Sequence, residues 1–385
     1  MNDLPLFPVT CVGSWPRAPE LLRAGRLRFQ GRVGAERFAN LADRSVLEAI
    51  RLQEDAGVDI ITDGEQRRDN FYSFVAEKLD GVRLMTLAEI LDVVDDRAGF
   101  ERILQTLDVP AYSISNPTCV GRISRREPLA LDELEFVREH TDKPIKITLP
   151  GPYLLTRAMF VPEVTQRTYE TKEALAEDVV CVLRDEIADL IAAGADFIQL
   201  DEPVLTELVF AKGQTRTFMC AALAATKDPE AELELAVSLI NRVLEGIEDV
   251  RTGVHICRGN WSRDEGTLLK GSYAPLKGYL ERLSVRQLVL EYATERAGDL
   301  VPVGGKEIGL GVVNPRSERV ETPAEIREAV GRALEHWPAE AIFLNPDCGF
   351  GTFSARPLNT PDVAFRKLRA MAEAAQELRT DGHTQ

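Results

Sequence analysis

The sequence has few of the features that mark disulfide-stapled, membrane-bound or nucleic-acid-binding proteins. Its six cysteines are scattered through 385 residues without framework spacing, which favours reduced thiols over disulfides. No run of about eighteen uninterrupted apolar residues occurs, so no membrane span is predicted. Lys and Arg number 46 against 62 Asp and Glu, and the net charge of -16 argues against nucleic acid and anionic membrane surfaces as main partners.

The amino terminus does not resemble a secretory signal. Residues 1–8 have no basic segment and no long apolar core, so we expect a cytoplasmic protein. The chain does contain ample material for a globular core, since 44% of its residues are hydrophobic and 28% are charged. This length allows one large domain or two of ordinary size.

Short apolar segments alternate with helical segments along most of the chain. The predicted strands are residues 7–13, 58–62, 144–149, 196–200, 249–254, 288–290, 307–313 and 341–345. The predicted helices are residues 40–56, 172–193, 230–245, 274–283, 322–336 and 361–378. Such alternation is typical of a (β/α)8 barrel. We therefore predict one α/β domain over residues 1–385, a (β/α)8 TIM barrel with an insertion between the second and third strands.

Two stretches depart from this alternation. Residues from about 82 to 142 contain several short apolar runs, which we interpret as an inserted flap or lid made of a hairpin and a helix near residues 131–140. Residues 379–385 are predicted to form a flexible tail, because chain ends are poorly ordered unless they are tied down.

A His-x-Cys pair follows the fifth predicted strand. His255 and Cys257 are two residues apart, so both side chains point to one face, where an imidazole and a thiolate can share one zinc ion. Two more candidate ligands, Glu291 and Cys348, end later strand-like runs. The spacing alone is usually coincidental, but all these residues end strands of one barrel, where active sites of this fold lie. The set is of the catalytic rather than the purely structural kind.

Three other polar residues lie at or just past predicted strand ends. Ser14 either caps a turn or touches a ligand. Glu65 and Asp201 follow the second and fourth strands, and two carboxylates in one pocket suit a cationic ammonium group. The alternative is that they cap loops or form salt bridges.

Together these motifs resemble the catalytic barrel of cobalamin-independent methionine synthases. The resemblance runs through nearly the whole chain and rests on Val12-Gly-Ser-Trp-Pro16, Asp63-Gly-Glu65, Gln199-Leu-Asp-Glu-Pro203, His255-Ile-Cys257, Glu291 and Asn345-Pro-Asp-Cys-Gly349. The length is similar to that of short members of the family with a single barrel, which lack the N-terminal barrel of the full-length enzyme.

The resemblance implies a zinc-dependent methyltransferase of methionine biosynthesis, which activates a homocysteine-like thiol as a zinc thiolate and alkylates it. The implied zinc ligands are His255, Cys257, Glu291 and Cys348. The residues implied to hold the carboxylate and amino ends of the thiol substrate are Ser14, Glu65 and Asp201.

The chain departs from the full-length enzyme at two places. That enzyme has a His just after its seventh strand, where this chain has Asn314 and Arg316. It also has a Trp that faces the pterin, and residues 153–159 contain none. The methyl donor is therefore left open between a methyl-corrinoid protein, a folate and a small methylated metabolite.

Two other functions fit parts of the pattern. Epoxyalkane:coenzyme M transferases are similar and use the same kind of zinc chemistry, with a sulfonate-bearing thiol that requires a basic cluster. The arginines that could supply such a cluster are Arg67, Arg68, Arg122, Arg125, Arg126 and Arg157. The other alternative is a zinc-binding scaffold without catalysis, whose metal site would be coordinatively closed.

Overall fold

The structure is a computed structural model that describes residues 4–94, 115–210, 228–260, 268–353 and 358–382. The strands, in chain order, are β1 (Leu79–Thr86), β2 (Ser115–Arg125), β3 (Lys146–Pro150), β4 (Phe197–Asp201), β5 (Arg251–Ile256), β6 (Gln287–Leu290), β7 (Glu307–Val313) and β8 (Ile342–Pro346). Strands β3 to β8 form one parallel sheet in which neighbours in the chain are neighbours in the sheet. This order is what an alternating series of strands and helices predicts.

Two further segments close this sheet into a barrel. Residues 8–10 exchange backbone hydrogen bonds with Leu344 of β8. Residues 60–61 bond to residues 8–10 on one side and to the segment that leads into β3 on the other, where the N–H of Lys146 donates to the carbonyl of Ile61. The resulting ring of eight parallel segments confirms the predicted (β/α)8 barrel.

The first two wall segments are shorter than predicted. Residues 7–13 and 58–62 pair with their neighbours only through isolated bridges. Proline accounts for part of this difference. Pro8 and Pro144 have no backbone N–H, so neither can donate a hydrogen bond to the neighbouring wall segment. In the barrel wall, regular ladders of hydrogen bonds therefore begin only at β3.

Helices cover the outside of the barrel. The α-helices are Pro19–Phe29, Ala35–Ala56, Leu87–Leu91, Leu131–Arg138, Pro152–Met159, Pro162–Thr165, Lys172–Ala192, Val204–Phe210, Pro229–Leu244, Lys277–Glu281, Pro323–Leu334 and Pro361–Gly382. The 3-10 helices are Ser73–Glu77, Ala274–Leu276, Glu295–Ala297 and Ala339–Ala341. Local signals set several of their ends. Gly57 ends the second helix with a φ of 89°, and Thr322 begins another through a capping box with Glu325.

The stretch interpreted as an insertion contains a small sheet of its own. Strands β1 and β2 pair antiparallel, and the helix Leu131–Arg138 follows them before β3. Residues 95–114, which belong to the same predicted insertion, lie outside the described residues. A role of this region as a flap or lid stays a prediction.

The last helix continues into the segment predicted to be a flexible tail, and the flexibility of residues 379–385 stays a prediction. The last helix runs from Pro361 to Gly382, so residues 379–382 are helical. Arg379 ties this end to the barrel, since its guanidinium lies 2.7 Å from the Asp59 carboxylate and donates to the carbonyl of Leu6 at 2.6 Å. Arg379 and Asp59 are 320 residues apart in the sequence, so no sequence periodicity predicts that they form an ion pair. Residues 383–385 lie outside the described residues.

One large hydrophobic cluster joins the barrel to its helices. Strands β3, β4 and β8 have five residues each, and every one of them is buried. None of the helices in the described parts of the chain is both long and apolar enough to cross a membrane. Because the barrel segments are parallel, their carboxyl ends open on one rim. That rim carries the candidate site.

A buried amide joins the second helix to the barrel wall. The Gln53 side chain is fully buried, its Nε2 donates to the carbonyl of Thr62 at 2.8 Å, and its Oε1 accepts the N–H of Thr62 at 3.0 Å. We expect Gln53→Leu to lower the free energy of unfolding by about 2 kcal/mol, because it leaves buried backbone groups unpaired. Urea unfolding measures this. Leu47→Gln, on the exposed side of the same helix, is the control and should stay within about 0.5 kcal/mol.

Candidate active site

Three of the four predicted metal ligands meet at the rim of the barrel. His255 lies in β5, Cys257 follows that strand, and Cys348 lies just after β8. One ligand atom from each side chain lies within 4.8 Å of the other two, and all three residues are buried. One nitrogen and two sulfurs at this spacing form a donor set for a thiophilic metal ion such as zinc.

The imidazole of His255 is oriented for a ligand at one nitrogen. Its Nδ1 lies 3.3 Å from the carbonyl oxygen of Val289 in β6, a contact that fixes the ring. Its Nε2 is buried and has no hydrogen-bond partner among the described residues. A buried polar atom left without a partner is costly, and metal-binding histidines commonly bond a backbone carbonyl through the other ring nitrogen. The residues present therefore fit a metal ion.

The charges around the cluster also favour a cation. Burial opposes a positive charge on His255, but the Cys257 thiolate and the Asp201 carboxylate outweigh it and raise the pKa of His255 to about 9. A hydrogen bond from Cys348 lowers the pKa of Cys257, and the same bond raises the pKa of Cys348. This arrangement favours a thiolate at Cys257 beside a protonated Cys348, and a metal ion that replaced the Cys348 proton would bind both sulfurs as thiolates.

Glu291, the fourth predicted ligand, lies outside the three-residue cluster. Its Oε1 accepts the backbone N–H of Arg258 at 2.5 Å and a hydrogen bond from the Asn260 amide. Its Oε2 accepts a bond from Arg296 Nη2 at 2.7 Å. The carboxylate is close enough to raise the pKa values of His255 and Cys348. Its role as a ligand stays a prediction.

Asp347 joins the loop that carries Cys348 to the loop after β6. Its Oδ1 accepts the backbone N–H groups of Tyr292 and Ala293, each at 2.9 Å. A glycine in β7 makes room for this contact, because a Cβ at Gly311 would lie 2.2 Å from Asp347 Oδ1. The position of Cys348 relative to Glu291 is therefore fixed by a buried carboxylate that spans two loops.

The Glu65 carboxylate lies at the same rim in a constrained loop. Glu65 has a φ of 52°, which is unusual for a residue other than glycine. Its backbone N–H donates to Asp63 Oδ1 at 3.0 Å, and its carbonyl accepts Arg17 Nη2 at 2.6 Å. Its side-chain Oε1 accepts the Thr148 hydroxyl at 2.9 Å. Burial raises the pKa of Glu65, and Arg68 opposes that rise.

Asp201 ends β4 and is also buried. Gln199, two residues earlier on the same face, donates from Nε2 to Asp201 Oδ1 at 2.8 Å. Burial raises the pKa of Asp201 to about 7, with His255 opposing the rise and Glu65 adding to it. The Glu65 and Asp201 carboxylates therefore repel each other electrostatically. A cation between them would stabilise both carboxylates in the ionised form.

Ser14 contacts the loop that carries Cys348. Its Oγ accepts the backbone N–H of Gly351 at 3.3 Å, and its carbonyl accepts the N–H of Phe350 at 2.9 Å. The two segments approach so closely that a Cβ at Gly349 would lie 2.1 Å from Ser14 Oγ. All seven predicted site residues thus lie at one rim, although their functional roles stay predictions.

Several residues that support the site were not singled out from the sequence. Asn260 and Arg296 hold Glu291, while Gln199 and Thr148 hold Asp201 and Glu65. Asn260 lies only three residues after Cys257, so proximity to the His-x-Cys pair could have identified it. Arg296 and Thr148 carry no such local signal.

The family of the chain is shown by comparison with known proteins. A family model described as "Cobalamin-independent synthase, Catalytic domain" matches residues 7–377. The chain belongs to this family.

The chain aligns with individual relatives over nearly their whole lengths. The methionine synthase of Thermococcus kodakarensis is 30% identical over 383 residues, which cover 98% of this chain and 95% of the relative. The methionine synthase of Sulfurisphaera tokodaii is 29% identical over 385 residues and covers 99% and 95% respectively. A solved B12-independent methionine synthase from Shewanella sp. W3-18-1, in complex with selenomethionine, has a TM-score of 0.73 at 23% identity, covering 99% of this chain and 100% of that chain. This last likeness concerns the fold.

Removing either clustered sulfur should remove the metal. We expect Cys257→Ser and Cys348→Ser to lose at least about 90% of the zinc that co-purifies with the unmodified protein, because thiolates dominate binding by such a donor set. Elemental analysis of the folded proteins measures this. The exposed Cys181 supplies the matched control, since Cys181→Ser should retain full metal content. Equal zinc in all four proteins would contradict the assignment.

Proposed function

We propose that the protein is a zinc-dependent methyltransferase that transfers a methyl group to the thiol of homocysteine or a similar amino acid. One observation carries this proposal. A buried nitrogen and sulfur cluster, His255, Cys257 and Cys348, lies within electrostatic reach of the Asp201 carboxylate. An amino-acid thiol carries a thiol, which the cluster would bind, and an ammonium group, which the Glu65 and Asp201 carboxylates would bind. Membership of the family and the names of the similar methionine synthases support the same reaction.

The cluster would hold zinc through His255 Nε2 and the two cysteine sulfurs. Bound there, zinc lowers the pKa of a ligating thiol, so that sulfur is available as thiolate near neutral pH. A free thiol has a pKa of about 8.5 and is only a few per cent ionised at pH 7. With only His255, Cys257 and Cys348 as donors, a zinc ion would keep a position for the substrate thiol, as an enzyme needs and a closed scaffold site does not.

The remaining site residues would bind and orient the amino acid. Glu65 and Asp201 would receive its ammonium group, and the turn at Ser14 would receive its carboxylate. Holding both ends leaves the sulfur in one orientation, so that it can attack the methyl carbon in line. The thiol gives its S–H proton to solvent, and its sulfur forms the new S–C bond as the bond between the methyl carbon and the donor breaks. The donor departs with the electron pair of that bond.

The proposed methyl donor is a methyl-corrinoid protein, a folate or a small methylated metabolite. At the place where the full-length enzyme has a His, Asn314 instead shapes its own loop. Its N–H donates to Glu321 at 2.9 Å, and its Oδ1 accepts the N–H of Arg316 at 3.0 Å. An assay with a panel of methyl donors, run with protein of known zinc content, identifies the donor.

The coenzyme M alternative receives less support from the structure. Five of the six arginines considered for a sulfonate pocket lie between 2.5 and 3.5 Å from a carboxylate oxygen. These pairs are Arg67–Asp43, Arg68–Glu133, Arg122–Asp178, Arg125–Glu186 and Arg126–Asp80. The sixth, Arg157, donates to the Tyr153 hydroxyl at 3.3 Å. Several of these arginines are thus held by carboxylates of the protein, whereas the Asp201 carboxylate lies within electrostatic reach of the metal cluster.

Titration calorimetry on the zinc-loaded protein separates the two thiols. We expect homocysteine to bind at least about tenfold more tightly than coenzyme M, because a sulfonate gains nothing from Glu65 and Asp201 and is repelled by them. Tighter binding of coenzyme M would favour the alternative.

Neutral replacements of the two carboxylates test the ammonium site. Glu65→Gln and Asp201→Asn keep an acceptor for Thr148 and Gln199 but remove the charge. We expect each to raise the KM for homocysteine about 10- to 100-fold, since a charge-assisted hydrogen bond contributes about 1.5–3 kcal/mol. Steady-state kinetics measures this, with zinc content as a check on folding. Glu127→Gln, at an exposed position, is the control, and unchanged KM values in both site variants would contradict the role.

A further inference from the structure

The Thr148 hydroxyl lies between two charged side chains on the inner wall of the barrel. It is 2.9 Å from Glu65 Oε1, and Arg68 Nη1 lies 3.2 Å from it. A guanidinium can only donate hydrogen bonds. The hydroxyl must therefore accept from Arg68, and its single hydrogen is directed at Glu65. The order of donors and acceptors along these three side chains is fixed.

The Glu65 carboxylate has little freedom to move from this contact. Gly13 packs against it, because a Cβ at that position would lie 2.4 Å from Glu65 Oε1 and 2.9 Å from Thr148 Cγ2. Both Glu65 and Thr148 are buried. With Oε1 held by the hydroxyl, the other oxygen, Oε2, is buried and has no partner among the residues that the structure describes. Oε2 is the oxygen left for a ligand.

Arg68 is anchored from the other side by the helix Leu131–Arg138. Its Nε donates to Glu133 Oε1 at 3.0 Å, and its Nη2 lies 2.5 Å from Glu133 Oε2. Its guanidinium also lies 4.3 Å from the centre of the Phe74 ring. The Arg68 guanidinium is thus held at Glu133, while its charge also opposes the rise of the Glu65 pKa. Thr148, which is neutral, orients Glu65 without cancelling the negative charge that an ammonium ion needs.

We propose that Thr148 is a positioning residue that directs Glu65 at the amino group of the thiol substrate. It would thereby set the preference for amino thiols over otherwise identical thiols that lack the amine. This inference rests on the proposed function and adds a residue that acts through Glu65.

The test compares two thiols in Thr148→Val, which keeps the shape of the side chain and removes the hydroxyl. Calorimetry on the zinc-loaded protein measures the Kd of homocysteine and of 4-sulfanylbutanoate, which has the same chain without the amine. We expect the Kd of homocysteine to rise about tenfold, and that of 4-sulfanylbutanoate to change less than about twofold. Thr148→Ser keeps a hydroxyl and should restore most of the preference. Thr148→Ala provides the same comparison if the valine variant does not fold.

Other outcomes would overturn the inference. Equal weakening of both thiols would mean that Thr148 supports the whole pocket rather than Glu65. Unchanged binding of both thiols, in a protein where Glu65→Gln weakens homocysteine binding, would refute the positioning role and leave the proposed function intact. Failure of the unmodified protein to bind either thiol would overturn the proposed function and this inference together.

Discussion

The constraint on which the site depends is the closure of the parallel sheet into a ring. Six strands form regular ladders, and residues 8–10 and 60–61 complete the wall through a few backbone bonds. Since all segments are parallel, closure brings the ends of β5 and β8 to the same rim as the loops that follow residues 8–10 and 60–61. An open sheet would leave Cys348 at one edge and far from Glu65.

Several carboxylates and two thiols are buried at that rim. Buried charges are costly unless they are paired, and two of the carboxylates have protein partners. Arg296 pairs with Glu291, and Arg68 lies near Glu65 while pairing with Glu133. Asp201 has no arginine or lysine within salt-bridge distance among the described residues, and His255 is the positive group that opposes the rise of its pKa. A zinc ion at the cluster and a substrate ammonium group would supply further positive charge.

The sequence predicts the frame of this site better than its supports. Strand alternation and the two-residue spacing of His255 and Cys257 locate the barrel and its rim, because both follow from local geometry. The residues that hold the site side chains do not follow from local geometry. Arg296 and Asn260 contact Glu291 from loops, which have no periodic sequence pattern. Thr148 escapes notice for another reason. Its strand alternates polar and apolar residues, Lys146-Ile147-Thr148-Leu149, but all of them are buried, so this alternation does not separate a solvent face from a core face.

X-ray absorption at the zinc edge, with and without homocysteine, tests the central claim most directly. The account predicts a first shell with two sulfur atoms and at least one nitrogen in the free protein, and one additional sulfur when homocysteine is added. A first shell without sulfur, or one that homocysteine leaves unchanged, would contradict it.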